Sequence, residues 1–94
     1  MNLYMIPFQT KKANGDNLFC GEVEKLGDWV LCMPNTYIVR TNMTSKEIRD
    51  FLLPVAHAAE GTFLVASIQH NLHGLLEHSQ RWDELEHIVA VTTD

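Results

Sequence analysis

Two β-branched and aromatic runs, separated by a two-residue turn, constrain the fold of this chain most strongly. The runs are residues 29–33 and 36–41, and Pro34-Asn35 lies between them. Proline suits the first central position of a tight turn because its φ is fixed, and asparagine suits the second because it tolerates a positive φ. The sequence therefore predicts an antiparallel β-hairpin.

The segment before the hairpin predicts a strand and a short helix. Residues 3–8 are apolar at odd and even positions, which is typical of an interior strand, and pairing should end or bulge at Pro7 because proline has no N–H to donate. Asp16 or Asn17 can cap the helix that follows, and Gly27 suits the left-handed residue at its end. The apolar positions of this helix, spaced four and three apart, are Phe19, Val23 and Leu26.

The segment after the hairpin predicts a longer helix and a fourth strand. Thr44 and Glu47 have the spacing of a capping box, and Pro54 should kink or shorten the helix that they begin. Its apolar face is predicted at Ile48, Phe51, Leu52 and Val55. Residues 62–68 then predict a largely buried strand.

The order of these elements is β-α-β-β-α-β, the split βαβ arrangement of the ferredoxin-like fold. We therefore predict an α+β protein with a four-stranded antiparallel sheet and both helices on one face. Residues 1–94 form a single domain, with the ferredoxin-like core in residues 1–68 and a C-terminal extension in residues 69–94. Within this extension the sequence predicts a short helix over about residues 80–86 and a terminal strand over residues 88–93.

Composition and charge narrow the range of possible functions. The chain has 94 residues and a formal net charge of −5, which argues against non-specific binding of nucleic acid or of a membrane surface. No apolar run approaches the ~18 residues of a membrane span, and the first residues lack the basic region of a signal peptide. Cys20 and Cys32 are too few for a disulfide scaffold, so we expect a cytoplasmic protein. We expect no cofactor.

Two sets of residues are candidates for ligand binding. His70, His73 and Glu77 are three and four apart, so on an unbroken helix they could hold zinc. Gly74 interrupts them, and a solvated polar connection is the preferred interpretation. The basic residues Lys11, Lys12 and Arg40, together with Lys46 and Arg49, could gather into a nucleic-acid-binding patch despite the acidic total charge.

The C-terminal extension carries the candidate interface. Its β-branched end has no charge to oppose pairing, so we predict that it adds to the sheet of a second protomer in an isologous homodimer. The candidate interface residues are Trp82, Leu85, Ile88, Val89 and Val91. Trp29 is either a core residue or an interface anchor.

Three stretches of the chain resemble a known family. They are residues 26–29, 35–52 and 63–66, and they are similar to the small bacterial and phage proteins called "SinR family protein", which are distinct from the biofilm repressor of similar name. That family resembles the CRISPR-associated adaptation nuclease subunits in fold, so the resemblance implies a ferredoxin-like homodimer. The nuclease relatives carry a metal-binding aspartate at the end of the first strand. Here the corresponding positions are Gln9 and Thr10, and the next carboxylate is Asp16.

These observations favour one function over two others. We expect a non-catalytic, homodimeric protein-interaction module of phage or mobile-element origin that acts on a host or defence component. Its acidic charge suits a partner with a basic surface. The alternatives are a metal-dependent nuclease and a nucleic-acid-binding protein without cleavage activity. We expect neither catalytic residues nor a membrane or nucleic-acid partner.

Overall fold

The protein is an α+β structure built on one open antiparallel sheet of five strands. The computed structural model describes residues 2–68 and, beyond them, Glu84, His87 and Ile88. In chain order the elements are β1 (Asn2–Thr10), α1 (Gly15–Val23), β2 (Asp28–Met33), β3 (Thr36–Thr41), α2 (Ser45–Ala58), β4 (Gly61–Phe63) and β5 (Ala66–Ser67). The predicted fold class, α+β, is confirmed.

Strand β1 lies in the interior of the sheet. The strand order is β2-β3-β1-β4, and β5 also pairs with β1 on the same side as β4. Because side chains alternate along a strand, Tyr4 and Ile6 point to one face and Leu3 and Met5 to the other. Strand β1 pairs with a neighbour on each side and has apolar contacts on both faces. This explains why polar and apolar residues do not alternate over residues 3–8.

The sheet has one strand more than predicted because the expected fourth strand is divided. Strands β4 and β5 pair with β1 in one continuous register, through Phe8↔Phe63 and Met5↔Ala66. Between them the Leu64 N–H donates to the Pro7 carbonyl oxygen at 3.1 Å. Pro7 has no N–H with which to complete the pair. The ladder is therefore interrupted opposite Pro7, where the sequence predicts that pairing ends or bulges.

The hairpin of β2 and β3 has the predicted turn. Its second turn residue, Asn35, has a φ of 66°, the left-handed conformation that asparagine tolerates better than most residues. The Asn35 carbonyl oxygen also accepts a hydrogen bond from the Phe8 N–H at 2.8 Å. This bond holds the turn against the neighbouring strand β1.

Helix α2 begins with the predicted capping box. The Glu47 N–H donates to Thr44 Oγ1 at 3.2 Å, and the Thr44 N–H donates to Glu47 Oε1 at 2.9 Å. Pro54 does not end the helix, which continues beyond it to Ala58. The two reciprocal bonds satisfy backbone donors that the first turn of a helix otherwise leaves without a partner.

The buried face of α2 differs from the prediction. Ile48, Leu52 and Ala56 are buried and Val55 is partly buried, whereas Phe51 is 40% exposed. Residues four apart lie along one line of a helix, and Phe51 lies to the side of that line. The prediction that Phe51 belongs to the core is wrong.

Helix α1 begins earlier than predicted. Its N-cap is Asn14, so Asp16 and Asn17 lie inside the first turn instead of capping it. Asp16 Oδ1 accepts a hydrogen bond from Thr10 Oγ1 at 2.7 Å, at the end of β1. Gly15 packs so closely there that a Cβ would lie 2.6 Å from Thr10 Cβ. The start of α1 is therefore fixed to the end of β1.

Gly27 has a different role from the predicted one. Helix α1 ends at Val23 with Glu24 as its C-cap, so Gly27 lies beyond the helix at the entry to β2. Its φ is 156°, and a Cβ there would lie 2.3 Å from the Arg40 carbonyl oxygen. Glycine is needed at this position because two backbone segments approach closely.

The first hydrophobic cluster lies between the sheet and both helices, on what we call the helix face. Its ring stacking centres on Phe8, whose ring centroid lies 4.6 Å from that of Phe19 and 5.4 Å from that of Tyr37. The buried members of this cluster are Tyr4, Ile6, Phe8, Phe19, Val23, Leu26, Tyr37, Val39, Ile48 and Leu52. The helix face thus supplies the larger part of the described core.

The opposite face of the sheet, here the second face, is also buried. Its cluster combines residues from three strands with one residue of the C-terminal extension, namely Leu3, Val30, Cys32, Ile38 and Ile88. Ile88 has helical backbone and is 6% exposed. The predicted terminal strand therefore does not begin at Ile88, and its remaining residues, 89–93, lie outside the described part of the chain. Within residues 2–68 neither helix is long and apolar enough to cross a membrane.

Candidate functional sites

A pocket of about 560 Å³ opens where β2 begins. Gly27, Asp28 and Trp29 line it from the sheet, and Glu84, His87 and Ile88 line it from the C-terminal extension. The close approach of Gly27 to β3 places Asp28 and Trp29 at the rim, and the packing of Ile88 on the second face brings Glu84 and His87 to it. We call this cavity the β2 pocket.

Two carboxylates line the β2 pocket among the described residues, and one of them is in an ion pair. Arg40 Nη2 donates to Asp28 Oδ2 in an ion pair, and the Arg40 side chain is only 15% exposed. Glu84 is exposed and makes no ion pair with any residue that the structure describes. Arg40 therefore balances the charge of Asp28, and Glu84 is the second carboxylate among the described lining residues.

Trp29 lies at the margin of the core. Its ring meets that of Tyr37 edge-on, with centroids 5.8 Å apart and planes at 66°. It is nevertheless 38% exposed and lines the β2 pocket. The sequence was consistent with either a core role or an anchoring role for Trp29. In the structure the residue packs against Tyr37 and is also partly exposed.

The second candidate surface is the outer edge formed by β4 and β5. Hydrogen-bonding direction alternates along a strand, so the Leu64 N–H faces β1 and the N–H groups of Phe63 and Val65 face outward. No described residue pairs with this outer side. Leu64, between the two strands, is 69% exposed. An exposed apolar residue and backbone donors that have no partner among the described residues thus occupy the same short edge.

The predicted basic residues do not form one patch. Lys11 and Lys12 follow β1, whereas Arg40 pairs with Leu3 near the other end of that strand. Eight residues of strand separate the two positions, a distance of about 25 Å. Arg40 is also engaged with Asp28. The structure therefore separates the three residues proposed for nucleic-acid binding.

Lys46 and Arg49 lie elsewhere again. They line a shallow pocket beside the β4–β5 edge, together with Phe63, Leu64 and Val65. Arg49 donates to Asp50 Oδ1 at 2.8 Å through Nη2, which partly balances its charge. These two cations flank the open edge and are not continuous with Lys11 and Lys12 through any described contact.

The end of β1 has a carboxylate that sequence position alone did not place there. Asp16 is six residues beyond Thr10, yet it accepts the Thr10 hydroxyl hydrogen bond because α1 folds back onto the strand. Within residues 2–68 and the three further described positions, no three His, Cys, Asp or Glu side chains form a group that could hold a metal ion. Asp16 is thus a single exposed carboxylate whose oxygen already accepts one bond.

Cys20 and Tyr37 form a small polar contact at the edge of the helix-side core. Burial raises the pKa of Tyr37 far above its usual range, and burial also raises the pKa of the Cys20 thiol. The Cys20 thiol donates to Glu24 Oε1 at 3.4 Å. Because a raised pKa reduces the thiolate fraction at neutral pH, Cys20 is poorly suited to act as a nucleophile.

Several candidates from the sequence fall outside the described residues. They are the possible zinc ligands His70, His73 and Glu77 and the interface candidates Trp82, Leu85, Val89 and Val91. Ile88, the remaining interface candidate, is buried against the second face of its own sheet.

The β2 pocket was not predicted. Its two halves are more than fifty residues apart in the sequence, and the packing of Ile88 on the second face brings them together. No protein-family model, no curated protein and no solved structure matches this chain.

Proposed function

We propose that this chain is a non-catalytic, homodimeric protein-interaction module with a ferredoxin-like fold, related to the proteins called "SinR family protein". The strand order β2-β3-β1-β4 and the packing of both helices into one cluster support the ferredoxin-like description. The partner that we propose is a component of a host or of its defence. The net charge of −5 suits a partner with a basic surface.

The observation that carries the proposal is the β4–β5 edge, whose outer side pairs with none of the described residues. Unpaired strand edges invite pairing with another chain, and proteins usually blunt them with charge, a proline or a covering element. Here the residue between β4 and β5 is Leu64, which is 69% exposed. The centre of this edge carries no charged residue that would oppose pairing, and it exposes an apolar side chain instead.

A second copy of the chain is the occupant that fits this edge. Two antiparallel β4–β5 edges related by a two-fold axis form an isologous contact in which each Leu64 is covered by the other protomer. The Phe63 and Val65 backbone groups then acquire partners. A 94-residue chain has a small core, so the additional apolar burial is a substantial gain in stability. The dimer proposed from the sequence used the terminal strand, whereas this dimer uses the edge of the described sheet.

The alternative function is a metal-dependent nuclease, and one observation favours it. Asp16 returns to the end of β1, where the nuclease relatives carry their aspartate. A single carboxylate does not by itself make the oxygen cage that a divalent cation needs, so we derive no hydrolytic step from it. Cleavage of RNA or DNA by purified protein with Mg²⁺, abolished in Asp16→Asn, would favour the nuclease over the interaction module.

Sedimentation velocity tests the edge-paired dimer. At about 100 μM, an ordinary concentration for specific association, we expect wild-type protein to sediment as a dimer. Leu64→Lys places a charge on the edge and should give a monomer. Leu18→Lys is the matched control, because Leu18 is also exposed, at 40%, and lies on α1. A monomeric wild type, or a dimer that survives Leu64→Lys, would contradict the proposal.

A further inference from the structure

We propose that the β4–β5 edge also binds an extended segment of a partner protein, with acidic side chains toward the helix face, and that this segment displaces the second protomer. The inference deepens the proposed function, on which it rests, by naming the chemistry of a strand that the same edge accepts. The charge beside this edge is opposite in sign to the net charge of −5 of the whole chain. An acidic segment here and a basic partner surface are therefore different contacts.

The backbone of the edge accepts an added strand. The Leu64 N–H donates inward to the Pro7 carbonyl oxygen, so the N–H and carbonyl groups of Phe63 and Val65 face outward. None of the described residues pairs with that outer side. Main-chain hydrogen bonds to such an edge do not depend on the sequence of the added strand, so the side chains beside the edge determine which sequence is preferred.

The side chains beside the edge on the helix face are cationic. A pocket of about 430 Å³ lies between the first turns of α2 and residues 63–65, and Lys46 and Arg49 line it. No carboxylate is among its described lining residues. Arg49 is shared with Asp50, whereas Lys46 makes no ion pair with any residue that the structure describes. The pocket thus presents positive charge to a strand at the edge.

An acidic residue of an added strand lies within reach of this charge. Phe63 and Val65 pack against the cluster on the helix face, so the residues opposite them on an added strand point to the same face. Directly opposite residues of paired strands have Cβ atoms about 5 Å apart. A glutamate opposite Phe63 or Val65 is therefore placed beside the pocket that Lys46 and Arg49 line.

The second copy of the chain does not supply such a charge. Residues 61–67, which form β4, β5 and the link between them, include no acidic residue. Opposite residues of paired strands share a face, so a two-fold pair has both helix faces on one side of the joined sheet. Lys46 and Arg49 of both protomers then flank the junction with no carboxylate from either edge. An acidic segment replaces like charges with opposite ones, which favours the exchange.

The other face of the edge requires an apolar residue. Leu64 alternates with Phe63 and Val65, so it points to the second face, and it is 69% exposed. An apolar side chain opposite Leu64 covers it. The preferred segment therefore has the pattern acidic, apolar, acidic, with its central residue opposite Leu64.

The test uses the full chain, labelled with ¹⁵N, and the peptide acetyl-Thr-Thr-Glu-Val-Glu-Thr-Thr-amide. We expect saturable shifts of the Phe63, Leu64 and Val65 amides with a Kd of about 0.1–1 mM, and at least about threefold weaker binding of the peptide with glutamine in place of both glutamates. Equal binding of the two peptides, or no shifts of these amides up to about 5 mM peptide, would overturn the proposal.

Two matched variants locate the charge. Lys46→Gln removes a cation from the pocket and should weaken binding of the glutamate peptide about threefold, the scale of one surface charge contact. Lys12→Gln makes the same change beyond the end of β1, outside the pocket lining, and should leave binding unchanged. Undiminished binding in Lys46→Gln would overturn the proposal.

Sedimentation with peptide tests the exchange. Saturating glutamate peptide should convert the dimer at about 100 μM protein into a monomer, and a dimer that persists with the edge amides shifted would overturn the displacement. A wild type that is monomeric without peptide, yet binds the glutamate peptide, would contradict the dimer alone. Failure of the segment site and failure of the edge-paired dimer are thus distinguishable.

Discussion

Two glycines, Gly27 and Gly21, differ in whether a side chain would fit at their positions, although the sequence alone does not distinguish them. Gly27 lies where a Cβ would come 2.3 Å from the Arg40 carbonyl oxygen, whereas a Cβ at Gly21 would meet nothing within 4 Å. Gly21 lies inside α1 and Gly27 lies at the entry to β2. The same substitution is therefore expected to act in opposite directions at the two positions.

We expect Gly27→Ala to lower the free energy of unfolding by at least ~2 kcal/mol, because β2 and β3 must separate to admit the methyl group. Gly21→Ala should raise the free energy of unfolding by up to about 1 kcal/mol through helix propensity. Urea denaturation of both variants measures these changes. Equal effects of the two substitutions would show that the close approach at Gly27 is not a constraint.

Sequence signals that span only a few residues predict the turn, the capping box and the interrupted strand pairing of this fold well. The Pro34-Asn35 turn and the Thr44–Glu47 capping box were both confirmed, because each depends on residues within four positions of one another. Pro7 likewise interrupts pairing at the predicted place. The extra strand follows from the same proline, whose missing donor divides the last strand into β4 and β5.

In α2 the packed face was predicted less well than the start of the helix. Periodicity alone includes Phe51 in the apolar face of α2, but which side of a helix packs depends on where the sheet and α1 lie. Phe51 is 40% exposed, and Ala56, which was not predicted as core, is buried. The β2 pocket escaped prediction for a similar reason, since its walls meet only through tertiary packing.

Adjacent leucines in α2 test the observed face. Leu52 is fully buried and Leu53 is 38% exposed. Leu52→Ala should lower the free energy of unfolding by about 2–5 kcal/mol, the usual cost of a cavity in a core. Leu53→Ala changes the same side chain in the same helix and should cost about 1 kcal/mol or less. Chemical denaturation compares them, and similar losses would contradict the assigned face.

At the scale of the whole molecule, the two faces of the sheet and its two sides have different roles. The helix face is covered by α1 and α2, and the second face is covered in part by Ile88. The two sides of the sheet differ as well, with the β2 pocket at one and the β4–β5 edge at the other.

Hydrogen exchange of single amides tests the edge-paired dimer most directly. The outward N–H groups of Phe63 and Val65 should exchange slowly at about 500 μM, where the dimer predominates, and rapidly at about 5 μM, where it dissociates. The Leu64 amide is the internal control, because it donates to Pro7 within one protomer and its protection should change much less. Exchange at Phe63 and Val65 that is equally fast at both concentrations, in a protein that sediments as a dimer at the higher one, would contradict pairing through this edge.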